Sequence, residues 1–118
     1  MKLDDFEFAD SEILDINLGT DFIEIRIRET YNLTLREYVD NLIIEFAGSI
    51  NIATHKHMQD GSIEINSDLK DSLPKIISSF EHGDNEVVIS GSSKSNTDWY
   101  DTLIKFERYR IMLKRSKD

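Results

Sequence analysis

The chain has 118 residues, of which 39% are hydrophobic and 31% are charged, and it contains no cysteine. This length fits a single domain, 1–118, that can bury an ordinary hydrophobic core. The absence of cysteine excludes disulfides, cysteine-ligated zinc and thiol catalysis. Asp and Glu total 23 against 14 Lys and Arg, so the formal net charge of -9 disfavours binding to nucleic acid or to an anionic membrane surface.

The acidic charge favours a basic protein as partner, because an acidic surface accelerates the approach of such a partner. Solubility alone also explains the same charge. Residues 1–5 lack the charged and then apolar pattern of a secretory signal, and no apolar run is long enough to span a membrane. We therefore expect a cytoplasmic protein with no nucleic-acid and no membrane partner.

Residues 12–31 carry the clearest pattern of secondary structure. Apolar residues alternate with polar ones in two runs, separated by a turn that contains Gly19; the apolar residues are Leu14, Ile16 and Leu18, then Ile23, Ile25 and Ile27. Alternation with a period of two on both sides of a turn predicts an antiparallel hairpin with one buried face.

Residues 34–48 fit two structures. Thr34 followed by Glu37 is a capping-box pattern, and apolar residues up to position 46 recur at helical spacing. The turn signal at Asp40 and the β-branched alternation after it favour strands instead. We favour strands, in which case Gly48 and the serine after it form a second hairpin turn before an alternating strand.

The second half of the chain predicts more strands and one helix. Apolar residues lie at helical spacing after Ser67, a candidate N-cap, and Pro74 predicts a kink among them; these residues are Leu69, Leu73, Ile76, Ile77 and Phe80. Residues 114–118 are expected to be a frayed tail. The predicted fold class is therefore mainly β (α+β), a curved antiparallel sheet of sequential hairpins with one kinked helical segment near 68–80 packed on it.

Three histidines form the one pattern with metal-ligand spacing. His55 and His57 share one face of a strand, and His82 or a carboxylate such as Asp60 is the candidate third ligand. Solvated strand histidines give the same pattern more often, so we predict no metal and no cofactor. The serine-rich segment 91–95 lacks the glycines of a phosphate-binding loop, and no serine has a base at motif spacing, so we predict no catalytic residue.

Acidic residues concentrate in the first third of the chain, where residues 1–40 hold eleven acids and four bases. A solvated face is the common reason for such a block, but an asymmetric charge also favours a docking surface for a basic partner. The predicted partner-binding residues are Asp4, Asp5, Asp10, Glu12, Asp15 and Glu24.

Two segments, FEFADSEILDI at 6–16 and WYDTLIKF at 99–106, resemble a loose group of small acidic bacterial β proteins. Some members of this group are immunity proteins of polymorphic toxin and contact-dependent growth inhibition systems. The resemblance implies a cytoplasmic, non-catalytic protein that binds one cognate toxin domain and blocks its active site or substrate groove. Many such toxins are basic nucleases, so a basic partner is also implied.

Two alternatives belong to other classes of function. One is a small metal-dependent enzyme that uses His55, His57 and His82. The other is a structural or assembly protein whose sheet edge pairs with a neighbour, with the strand from Ile52 to Met58 as the candidate edge.

Overall fold

A computed structural model describes residues 1–58, 60–66, 73–93 and 98–113. These residues form β-strands and one turn of 3-10 helix, Leu3–Asp5. The strands are β1 (Phe6–Glu7), β2 (Glu12–Leu18), β3 (Phe22–Arg28), β4 (Thr30–Asn32), β5 (Glu37–Val39), β6 (Leu42–Ala47), β7 (Asn51–His57), β8 (Ile63–Asn66), β9 (Ile76–His82), β10 (Glu86–Ser92), β11 (Trp99–Lys105) and β12 (Arg108–Leu113).

Among the described residues, all strand pairs are antiparallel and the strands form two sheets, which confirms the prediction of a mainly β fold. The large sheet has nine strands in the order β12-β6-β3-β2-β9-β10-β11-β7-β8, and the small sheet has three in the order β1-β4-β5. Strand β2 pairs with β9 through Glu12 and Ile76. This short junction divides the large sheet into a four-stranded half and a five-stranded half.

The hydrophobic core draws on both halves of the large sheet. Ile25 and Ile44 of the four-stranded half are fully buried, and so are Ile89 and Ile104 of the five-stranded half. All four belong to one hydrophobic cluster. Because successive side chains of a strand point to opposite faces, the two halves bury their apolar faces against each other.

The predicted hairpin of residues 12–31 is confirmed, since β2 pairs with β3 and the inward residues of β3 are buried: Ile23, Ile25 and Ile27. Leu14 and Leu18 depart from the prediction because both are exposed, and Ile13 is buried in place of Leu14. The register shifts between Ile13 and Asp15, so Leu14 is the unpaired residue of a β-bulge.

The predicted kinked helix near 68–80 is wrong where the structure describes that segment. Residues Ile76–His82 form β9, which pairs with β10 along its length. The first part of the predicted helix, 67–72, lies outside the described residues, as does the predicted tail, 114–118. The described part of the chain has no helix with the length and apolar character needed to cross a membrane.

A β-bulge is the physical reason for this error. Ser90 of β10 pairs with Ser79, but the next residue, Gly91, pairs with Ile77, so Ser78 has no partner in the register. The extra residue separates the inward side chains Ile77 and Phe80 by three positions instead of two. Three is a helical spacing, so a bulged strand shows the same local pattern as a helix.

Residues 34–48 form strands, as favoured, but the predicted hairpin turn at Gly48 is wrong. Strand β6 pairs with β3 and β12, and β7 pairs with β11 and β8. Gly48, with a φ of 80°, therefore begins a connection from one half of the large sheet to the other. The predicted edge strand is corrected too, since β7 is covered on both sides and β8 follows it in the strand order.

Candidate functional site

The small sheet and the turns beside it carry most of the uncompensated acidic charge of the protein. Its segments 1–10 and 29–41 contain seven acidic residues, namely Asp4, Asp5, Glu7, Asp10, Glu29, Glu37 and Asp40, and two basic ones, Lys2 and Arg36. We call the surface formed by these two segments the acidic face.

Exposed apolar and aromatic side chains lie on the same surface. Tyr38 of β5 is 71% exposed, and its ring meets Tyr31 edge to face, with ring centroids 5.1 Å apart. Leu33 and Leu35, in the turn between β4 and β5, are also exposed. Tyrosine is among the residues that contribute most to binding energy at protein interfaces, so the acidic face combines anchors with charge.

The backbone is strained at this surface. The non-glycine residues with positive φ in the described part of the chain are Asp10 (69°), Glu29 (60°) and Arg36 (58°), and all of them lie in the acidic face. A left-handed conformation costs an L-residue about 1–2 kcal/mol, and such strain concentrates at functional sites. Hydrogen bonds hold two of these residues in their left-handed conformations: Asp10 N donates to Ile77 O at 2.7 Å, and Arg36 N donates to the carbonyl of Asn32 at 2.8 Å.

A buried polar network fixes the strands beneath the acidic face. Ser11 Oγ donates to Glu29 O and Thr30 Oγ1 donates to Ser11 Oγ, each over 3.1 Å, and both hydroxyl residues are fully buried. The Asn32 side chain accepts hydrogen bonds from Thr34 N and Leu35 N at 3.0 Å. Because buried polar groups are costly to leave unpaired, these bonds set the geometry of the turns.

Two neighbouring grooves open on the acidic face, and Ala9 lines both. The first, about 350 Å³, also contacts Asp10, Glu29 and Tyr38, so two of the left-handed residues form its wall. The second, about 310 Å³, lies between the segment around β1 and strand β9. Either volume suits a side chain of a partner, and the surrounding carboxylates favour a basic one.

The structure brings three of the six predicted binding residues to the acidic face: Asp4, Asp5 and Asp10. Asp4 Oδ1 contacts His82 Nε2 at 2.7 Å, and Asp5 Oδ2 accepts a hydrogen bond from Lys2 N at 2.8 Å. Glu12, Asp15 and Glu24 lie instead on the outer face of the four-stranded half.

Arginines oppose two of these acids on that outer face, whereas Glu24 lies opposite Glu45 of β6. Glu12 pairs with Arg28 at 3.1 Å, and Asp15 lies opposite Arg26 in the register of β2 and β3. Cross-strand pairs of opposite charge stabilise a sheet and leave little net field. The acidic surplus is therefore larger at the small sheet, with seven acids against two bases, than in the β2–β3 hairpin, where residues 12–28 hold four acids and two bases.

The three histidines proposed as metal ligands do not meet. His57 and His82 each contact a different carboxylate, Asp101 and Asp4 respectively, at 2.7 Å. Strands β10 and β11 lie between β9 and β7, so His82 is at least about 14 Å from His55 and His57 across the sheet. Within residues 1–58, 60–66, 73–93 and 98–113, no group of three or more His, Cys, Asp or Glu side chains could hold a metal ion.

Sequence reasoning missed two groups of residues. Tyr38 lies in the segment 34–48, whose pattern fits two structures, whereas Glu29 and Leu33 precede it; the surface that they share depends on the pairing of β4 with β1 and β5. Asp101 accepts hydrogen bonds from Ser90 Oγ at 2.7 Å and Trp99 Nε1 at 3.1 Å. Trp99 and Asp101 are two residues apart in β11, so their side chains point to the same face of the strand. This spacing is the feature of the sequence that could have predicted their contact.

The Asp101 cluster lacks the arrangement of a nucleophilic site. Ser90 donates to the carboxylate and not to His57, so among the described residues this histidine is not positioned to take the proton of the Ser90 hydroxyl. Comparison of the chain with models of protein families, with curated proteins and with solved structures finds no match. In the part of the chain that the structure describes, the acidic face is the surface that combines uncompensated charge, exposed aromatic side chains and grooves.

Proposed function

We propose that this protein is a non-catalytic, cytoplasmic immunity-type protein that binds and neutralises a cognate bacterial toxin domain of basic charge. One observation carries the proposal: the acidic face holds seven acids against two bases and exposes Tyr38 among them. The resemblance of segments 6–16 and 99–106 to small acidic immunity proteins supports the same function. A basic nuclease is the toxin class that fits best, because carboxylates can occupy positions that nucleic-acid phosphates would take.

Charge and anchors have separate tasks in such a complex. The uncompensated carboxylates accelerate the approach of a basic domain, and this acceleration weakens as salt is added. Tyr38 and Leu35 provide the apolar area that slows dissociation once the complex has formed.

The strained turns favour binding in a different way. Asp10 and Glu29 are held in left-handed conformations by the hydrogen bonds around them, so the wall of the first groove is already ordered before a partner arrives. A preordered surface loses less conformational entropy on binding, which raises affinity without any new contact.

The test is co-expression with the product of the gene immediately upstream, followed by purification at low and high salt. We expect a complex whose association slows as salt rises. Tyr38→Ala should accelerate dissociation about tenfold or more, since tyrosine truncation at an interface costs about 2 kcal/mol. Ile65→Ala is the matched control, because Ile65 is 75% exposed but lies on β8 of the large sheet. Absence of a complex, or sensitivity to Ile65→Ala instead of Tyr38→Ala, would contradict the proposal.

A further inference from the structure

The second groove of the acidic face has an aromatic floor. Phe8 and Phe80 stack with ring centroids 4.2 Å apart and an interplanar angle of 26°, although Phe8 follows β1 and Phe80 belongs to β9. Phe6 lies 5.9 Å from Phe8, measured between ring centroids. Leu3 and Leu33 complete the apolar lining of this groove, which we call the Phe8–Phe80 groove.

Asp4, Glu7, Ser79 and His82 are the polar residues of its lining. The Asp4 side chain is 79% exposed, and its Oδ1 contacts His82. Glu7 lies between the buried Phe6 and Phe8, so its side chain points to the other face of that segment. A carboxylate has two oxygens with about four lone-pair sites, so Asp4 can accept a further donor beside His82. Among the described residues that line this groove, none is a lysine or an arginine, so its two acids are not neutralised from within it by a permanent cation.

Resting on the function proposed above, we propose that the Phe8–Phe80 groove binds an arginine side chain of the basic partner. The guanidinium group is planar and weakly hydrated, stacks on aromatic rings and binds carboxylates through two parallel hydrogen bonds. Its methylene stem packs on apolar walls such as Leu33, and its head reaches Asp4 at the edge.

Lysine fits this groove less well. Its ammonium group is compact and strongly hydrated, so it loses more solvation when it approaches an aromatic floor, and it cannot form the two-point contact with a carboxylate. The groove therefore distinguishes between two cations that a simple acidic surface would treat alike. The experiment therefore compares the affinity of the protein for arginine with its affinity for lysine.

The probes are hexa-arginine and hexa-lysine peptides, titrated into the full chain at about 150 mM salt and followed by calorimetry and amide NMR. We expect hexa-arginine to bind about two- to fivefold more tightly than hexa-lysine, as one additional cation–aromatic contact provides. Its largest amide shifts should fall on Leu3, Phe8 and Phe80. Equal affinities for the two peptides, or shifts that fall mainly on the outer face of the large sheet, would overturn the proposal.

Two variants locate the selectivity. Asp4→Asn should weaken hexa-arginine binding more than Glu24→Gln does, because both remove one negative charge but Glu24 lies on the outer face of the four-stranded half. Equal effects of the two variants would indicate general electrostatic attraction and contradict the proposal.

Phe80→Leu keeps an apolar side chain but removes the aromatic ring, so it should abolish the preference for hexa-arginine over hexa-lysine. A preference that survives in the folded variant counts against the groove.

The outcomes also separate this inference from the proposed function. A toxin domain that binds through Tyr38 while the peptides bind equally would refute the arginine site alone. Arginine selectivity at the groove without a complex between the protein and the upstream gene product would support the site and contradict the proposed function.

Discussion

His57 and Asp101 lie on neighbouring strands, and His57 Nε2 is 2.7 Å from Asp101 Oδ2. The other carboxylate oxygen accepts hydrogen bonds from Ser90 Oγ and Trp99 Nε1. Partial burial acts to raise the pKa of Asp101, but the hydrogen bonds from Ser90, His57 and Trp99 outweigh it and hold the pKa below its usual range. The cluster thereby orients the single tryptophan of the chain.

Asp101→Asn should lower the free energy of unfolding by about 1 kcal/mol at neutral pH, a value reduced for the partial exposure of the carboxyl. A folded-state pKa below the unfolded value contributes stability above the unfolded pKa, and this contribution is lost as pH falls through the folded pKa. The difference between wild type and Asp101→Asn should therefore shrink below about pH 4. Urea unfolding, monitored by Trp99 fluorescence, measures this difference in the free energy of unfolding at each pH.

Asp84→Asn is the control for this pH series, because Asp84 is exposed near the β9–β10 turn and the substitution removes the same charge. We expect the free energy of unfolding of Asp84→Asn to differ little from that of the wild type at both pH 7 and pH 3. A destabilisation by Asp101→Asn that is unchanged between pH 7 and pH 3 would show that the charge of Asp101 does not stabilise the cluster.

Gly91→Ala should destabilise the protein severely, by about 3 kcal/mol or more, because overpacking forces the backbone apart. A Cβ atom at Gly91 would overlap the carbonyl oxygen of Ile76 in the neighbouring strand. Gly83→Ala is the matched control, since its Cβ would lie 3.5 Å from Glu86 Cγ, an ordinary contact. Thermal unfolding of both variants tests the close approach of β10 to β9, and similar melting temperatures would disprove it.

Ile25→Ala and Ile65→Ala test the assignment of faces with the same chemical change. Ile25 is fully buried in β3, and its truncation should cost about 2–5 kcal/mol through lost burial and the cavity left behind. Ile65 is exposed on β8, so its truncation should change the free energy of unfolding by less than about 0.5 kcal/mol. Chemical denaturation of the two variants gives both values; comparable losses would place Ile65 in a core.

Arg36→Gly should give a protein that is about 1 kcal/mol more stable than Arg36→Ala, because glycine adopts a left-handed conformation without the steric penalty of a Cβ atom. Both variants remove the same side chain from the turn between β4 and β5, where Arg36 has a φ of 58°. Their comparison isolates the backbone strain. Equal stabilities would show that the turn relaxes when the arginine is removed.

The strands whose pattern is regular could be predicted from the sequence. The unbroken alternation of Ile23, Ile25 and Ile27 predicts β3 and its buried face, and both are found. Prediction failed where a bulge interrupts the alternation: Leu14 was assigned to the wrong face, and Ile77 and Phe80 were assigned to a helix. A bulge changes the spacing of inward residues from two to three, and a local pattern carries no sign of that change.

For the candidate site, the block of acids in the first third of the chain is visible in the sequence. How these acids are divided between the acidic face and the outer face of the β2–β3 hairpin is not. Asp15 faces an arginine in the register of the hairpin, whereas Asp10 lies on the acidic face beside Glu29 and Tyr38. Tyr38 and Asp10 are far apart in sequence, so their proximity depends on how β4 pairs with β1 and β5.

Composition and local alternation are enough to establish the class of this protein: one chain of alternating strands, rich in acids and free of cysteine. Those properties are local or compositional, so they can be read one segment at a time. The neighbours of each strand, the positions of the bulges and the acids that remain without an opposing arginine depend on the three-dimensional arrangement. Strand pairing joins residues that are distant in sequence, and its register is selected by burial of both apolar faces at once, which no single segment encodes.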